Sequence, residues 1–131
     1  MKPTVIGYWV VTALLVLVFA SGGVMDLRQS PEVLEGMKSL GYPAYFATLL
    51  GLWKLAGALA LVVPGFARVK EWAYAGMFFD LTGAAVSHAA VGDPLPKVLV
   101  PLVLTGLLVA SWALRPSSRR AVLPASSPQL A

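Results

Sequence analysis

Five side chains in this sequence have the types and positions to do chemistry away from bulk water: Lys54, Asp80, Ser87, His88 and Asp93. Lys54 and Asp80 each fall near the middle of a long apolar run, where a charge costs roughly 2.5–3.5 kcal/mol on the gentlest insertion scale. Each must therefore face a protein interior or an opposite charge. An ammonium beside a carboxylate in such a place can hold the polar head of a ligand, serve a proton pathway, or only fix which helices meet. His88 adds an imidazole next to the hydroxyl of Ser87, and Asp93, in the turn Gly92-Asp93-Pro94, is a pairing partner for it. As the structural alternative, His88 is an interfacial polar residue or cap. With Cys 0 and His 1 the chain has no disulfide, thiolate metal site or cysteine redox relay of its own, and nothing of the HxxxH or HExxH kind. No catalytic residue and no metal ligand is assigned, and the chain by itself is not expected to be an enzyme.

The elements that position these groups follow from composition. The 131 residues are 58% hydrophobic and 12% charged, against about 25% charged in average soluble proteins, with a mean hydropathy of +0.78. A small soluble domain buries only about two thirds of its surface, too little to hide this much Leu, Val and Ala, so part of the solvent is lipid. The net charge of +4 does not point to nucleic acid, because the basic residues are scattered between apolar runs and gather near the C-terminus. A membrane span needs roughly 20 mostly apolar residues. Four stretches qualify, at about 5–25, 44–63, 72–91 and 96–114. The first is too long for a signal-peptide core and is read as a mature helix.

The fold class expected is therefore all-α, an integral membrane up-down four-helix bundle spanning 1–115, followed by a disordered cytoplasmic tail over 116–131. Lys2, Arg68, Lys70, Arg115, Arg119 and Arg120 fall on one side of the spans, and Arg28, Lys38 and Lys97 on the other. That imbalance places both termini in the cytoplasm. Within residues 26–43, Ser30 caps, Pro31 suits the first helical position, Glu32 complements the dipole and Gly41 stops the turn. Val33, Leu34, Met37 and Leu40 then share one face, which predicts a short amphipathic helix on the outer surface. It serves either as a lid over the bundle mouth or as a plain interfacial anchor.

Depth brings Lys54 and Asp80 together on this reading. Counted from the outer ends of their spans, Lys54 is about 10 residues deep and Asp80 about 11, so at about 1.5 Å per residue the two lie level. Ala73, Gly76, Asp80, Ala84 and Ser87 fall within about 40° of one helix line. Gly51, Lys54, Gly57 and Ala58 make a similar stripe on the second span, and small residues let membrane helices pack closely. The spacing thus predicts a Lys54–Asp80 ion pair between spans two and three. Ser87 and His88 extend it into a polar column with Phe46, Trp53 and Phe79 as aromatic walls. Pro101 inside the fourth span frees the carbonyl of Lys97 and either shapes a cavity or adjusts packing. Ser21, Gly22 and Gly23 leave the same choice on the first.

The run Gly41-Tyr42-Pro43-Ala44-Tyr45-Phe46, then Gly51-Leu52-Trp53-Lys54-Leu55-Ala56-Gly57, then Lys70-Glu71-Trp72-Ala73-Tyr74-Ala75-Gly76, then Phe79-Asp80-Leu81-Thr82-Gly83-Ala84 with Ser87-His88 and Gly92-Asp93, resembles the bacterial DoxX-like family. The likeness covers about residues 41–93. It implies a compact four-helix bundle in the bacterial cytoplasmic membrane and relatives that act beside thiosulfate–quinone or oxidant-defence enzymes. It supplies no catalytic residue.

Three functions compete on these grounds. A non-catalytic binding or accessory subunit would hold a lipophilic ligand, a quinone being the one cofactor suggested, near a membrane redox protein partner. An assembly factor would use its helix faces for other proteins, and a proton-coupled transporter would use Asp80. Against transport stands the expected neutralisation of Asp80 by Lys54. The binding residues expected are Lys54, Asp80, His88, Ser87 and Trp53. A homodimer is the default assembly, since the bundle is small.

Overall fold

The structure, a computed structural model, describes residues 1–121. Five α-helices and one short 3-10 turn make up the fold among these residues: α1 (Pro3–Arg28), α2 (Pro31–Leu40), α3 (Ala44–Val62), α4 (Ala67–Ala90), α5 (Leu95–Ala113) and the turn Ser117–Arg119. Helices α1, α3 and α5 are long and apolar enough to cross a membrane. Helix α4 has the length but not the composition, because Arg68, Lys70, Glu71, Asp80, Thr82, Ser87 and His88 dilute its apolar residues.

Each boundary has a local cause. Helix α1 opens with Pro3, whose missing N–H costs nothing there, and closes on Gln29 in the left-handed region (φ 48°). It runs to Arg28 and so takes Asp26 into the helix, where the expected span stopped at residue 25. Helix α2 is the amphipathic element expected: Ser30 Oγ accepts the Val33 N–H at 3.4 Å, and Gly41 ends it at φ 83° while its N–H and that of Tyr42 close on Lys38 and Met37. Pro64 and Gly65 (φ 76°) end α3. Helix α4 starts at Ala67, five residues before the expected 72, with Lys70 and Glu71 bonded to the protein rather than left in a loop.

Helix α1 packs on α3 and α5, and α4 packs on the same two; α2 lies on α3. The core comprises Leu15 and Phe19 from α1, Ala58 and Leu61 from α3, Tyr74, Met77 and Leu81 from α4, and Leu108 from α5. The closest crossing is α1 with α3. A Cβ placed on Gly51 would sit 2.8 Å from the Gly23 carbonyl oxygen and 3.0 Å from the Leu27 amide nitrogen. Only glycine permits that approach. The small-residue stripe on α3 is therefore divided: Gly51 and Lys54 serve α1, while Gly57, where a Cβ would meet Met77 at 2.9 Å, keeps the contact with α4 expected of it.

The α4 seam is also placed differently. Lys70, Tyr74, Met77, Leu81 and Ala85 are its buried positions, while a Cβ on Gly76 or Gly83 would meet nothing within 4 Å. Residues 122–131, most of the tail expected to be disordered, lie outside the described residues. Arg119, at the start of that tail, is bonded to the end of α3: its guanidinium donates to the Leu61 carbonyl at 2.8 Å and to Val62 at 3.3 Å.

Candidate functional site

Lys54 is not paired with Asp80. Its Nζ donates to Asp26 Oδ2 at 2.8 Å, joining α3 to α1. The correction has a physical reason in the Gly23–Gly51 crossing, which draws α1 against α3 one turn from Lys54, and in the extra turn of α1 that carries Asp26. Asp26 is 6% exposed, so its charge is compensated by Lys54 in a protein interior. Asp80 is half-buried and is acted on by both Lys54 and Asp26, yet makes no side-chain hydrogen bond among the described residues. Two carboxylates and one ammonium thus share this region.

The rest of the expected column divides. Ser87 Oγ and Tyr42 Oη are 2.6 Å apart, tying α4 to the connection between α2 and α3. His88 Nδ1 lies 2.6 Å from Asp93 Oδ2, the pairing considered for it, at the entry to α5. Of the three aromatic walls expected, only Phe46 is near, half-buried and stacked on Tyr42 at 4.9 Å. Trp53 is 61% and Phe79 70% exposed, both turned away from the interior. Apolar walls come instead from α5. A groove of about 430 Å³ runs between α4 and α5, lined by Ala84, His88, Lys97, Val100, Pro101 and Leu104. Asp80, Ala84 and His88 are spaced i, i+4 and i+8, so one side of α4 leads from the carboxyl to this groove.

A second polar cluster went unrecognised in the sequence. Ser111 Oγ is 2.6 Å from Thr12 Oγ1 and 2.8 Å from Tyr74 Oη, all three buried. Next to it Arg115, 8% exposed, is ion-paired with Glu71 and stacks over Trp112 at 4.9 Å. Burial, and then the charge of Arg120, pull the Arg115 guanidinium below the ordinary arginine range. Trp112 Nε1 donates to the other Glu71 oxygen at 3.1 Å. Lys70, 1% exposed, donates to the carbonyls of Val63 and Gly65, which α3 leaves free at its end. The signal available was the pair of hydroxyls Thr12 and Ser111 inside the apolar runs of the first and last spans. The lysine and arginines looked like ordinary membrane-flanking charge.

Among the described residues no group of three or more His, Asp or Glu side chains is placed to hold a metal ion. A family model described as the DoxX-like family matches residues 10–111. The chain belongs to the DoxX-like family. That match is wider than the stretch 41–93 whose motifs carry the resemblance, and takes in most of α1 and of α5. With its apolar helices it makes this DoxX-like chain a membrane protein in contact with the lipid bilayer. No curated protein and no solved structure matches it.

Proposed function

We propose that this DoxX-like chain is a non-catalytic binding or accessory subunit that holds a lipophilic molecule in the α4–α5 groove. On this reading α4 is a fourth span, the long helices form an up-down bundle in a bacterial inner membrane, and both termini are cytoplasmic. Lys70, Glu71 and Tyr74 then bond the end of α3 and helix α5, as intramembrane polar groups require. The single observation that carries the reading is the groove itself: a mostly apolar space between α4 and α5 with His88 and Lys97 on its wall and Asp80 one turn from Ala84. Such mixed cavities are the usual form of small-ligand sites. A quinone, in its oxidised or reduced form, is the lipophile this reading suggests, its ring against Val100, Pro101 and Leu104, and would place the protein beside a membrane redox partner.

The test is to purify the full chain in native lipid and identify co-purifying lipophiles by mass spectrometry, with Ala84→Trp, which fills the groove, and Lys54→Met beside it. A molecule enriched over bulk lipid and lost in Ala84→Trp supports the reading. Enrichment of nothing by well-folded protein sinks it. Loss in Lys54→Met as well would extend the site to the Asp26–Lys54 pair.

A second reading is favoured by one feature. Gly76 and Gly83 leave a bare strip on α4, which suits close approach of another helix, from a second copy or from a larger complex. Gly83→Leu is expected to break such an association in gentle detergent; an unchanged oligomeric state would remove the reading.

A further inference from the structure

The groove has two polar groups of opposite hydrogen-bonding character, and their geometry narrows what the ligand's polar end is. Asp93 Oδ2 sits 2.6 Å from His88 Nδ1. A carboxylate has no proton to donate, so this bond places a proton on Nδ1, and in the neutral tautomer Nε2 presents a lone pair. Nε2 has no hydrogen-bond partner among the described residues. The ring lines the groove together with the apolar side chains of Ala84, Val100, Pro101 and Leu104, so no protein group nearby competes for it. The other polar group on the wall is Lys97, which can only donate. One acceptor and one cationic donor thus border the same apolar space.

We propose that the groove selects a lipophilic molecule whose polar end is a hydroxyl, with His88 Nε2 accepting the hydroxyl proton in a hydrogen bond and Lys97 donating to the same oxygen or its neighbour. A ketone or quinone oxygen has only lone pairs and would set one against the lone pair of Nε2, leaving Lys97 as its sole partner. A hydroxyl both donates and accepts. Asp93 touches no ligand here; it is a positioning residue that fixes the tautomer, and Asn in its place could donate its amide N–H to Nδ1 and move the proton to Nε2. The inference rests on the reading that the groove holds a lipophile, and adds which oxidation level or functional group it prefers.

An alkylated hydroquinone and its quinone are matched probes, since they differ by two hydrogens and little in shape. Titrated calorimetrically against the full chain in nanodiscs, the hydroquinone is expected to bind about tenfold tighter, the worth of one well-placed hydrogen bond. His88→Phe should reduce that ratio to about one, and Asp93→Asn should abolish or invert it. The chain has a single histidine, so ¹⁵N-histidine spectra report on this ring alone. The Nδ1–H tautomer is expected in the native protein, and a shift toward Nε2–H in Asp93→Asn. Equal affinity for both probes, or a ring protonated on Nε2 in the native protein at neutral pH, overturns the inference while the groove reading stands. Binding of neither probe brings both down together.

Discussion

Helices α4 and α5 meet at two places, and the two are built on opposite principles. Near the α3–α4 connection they are clamped. Tyr74 shares Ser111 with Thr12, and Glu71 bonds both Trp112 and Arg115. Near His88 no hydrogen bond or ion pair joins the two helices among the described residues, and the groove there, about 430 Å³ against about 210 Å³ for the hollow beside Glu71, Tyr74 and Trp112, is the wider of the two. At the clamped end the polar groups have protein partners, and Thr12, Tyr74, Ser111 and Arg115 are buried. At the open end Asp80 has no hydrogen-bond partner, His88 has one nitrogen in use, and both stay half-exposed. Polar groups with all their partners inside the protein contribute to architecture; those with capacity left beside an apolar space have something to offer a ligand. The difference separates, within one helix pair, residues that hold the fold from residues that can hold a molecule.

The strongest way to break that comparison is at Glu71. Glu71→Leu leaves Arg115, 8% exposed, with its charge uncompensated and Trp112 without its acceptor. Full loss of a buried pair costs about 3–5 kcal/mol, and the one-third exposure of Glu71 puts this case at about 3 kcal/mol. The melting midpoint should fall by roughly 10 °C. Ligand retention below that midpoint should be unchanged. A variant that melts normally would show the clamp to be idle.

Ser111→Ala comes next. It strands the hydroxyls of Thr12 and Tyr74, which are 1% and 5% exposed and share Ser111. The cost expected is about 2 kcal/mol, the penalty for leaving buried polar groups unpaired, again read as a lower melting midpoint with unchanged ligand retention. Ser111→Thr, which keeps the hydroxyl, should recover part of it.

How far the sequence discloses this contrast depends on range. Local chemistry was legible: Ser30, Pro31 and Gly41 marked α2 to the residue, and the apolar runs gave α3 and α5 almost to their ends. So was the contact of His88 with Asp93, five residues apart. Pairing between helices was not. Lys54 and Asp80 are level in depth, but depth alone does not say which neighbour lies closer, and the Gly23–Gly51 crossing that decides for Asp26 joins positions 28 residues apart. The expectation that Lys54 neutralises Asp80, the ground for setting transport aside, therefore loses its support. Trp53 and Phe79 misled for a related reason: an aromatic residue in a membrane chain faces lipid as readily as it lines a cavity, and residue type carries no direction.

The open end is tested by filling it. Ala84 lines the groove one turn from Asp80, and Ala84→Phe would place a ring in a space of about 430 Å³ that communicates with the surroundings. In a packed core such an enlargement costs typically 1–3 kcal/mol; in an open groove it should change stability by less than about 0.5 kcal/mol, because no neighbour has to move. Ligand retention should fall at least about tenfold, equivalent to roughly 1.4 kcal/mol. The effect is thus smaller than either clamp variant and opposite in kind, with binding lost and melting unchanged. Should Ala84→Phe instead melt as low as Ser111→Ala, the groove is a closely packed part of the interior under working conditions, and the two meetings of α4 and α5 would be alike.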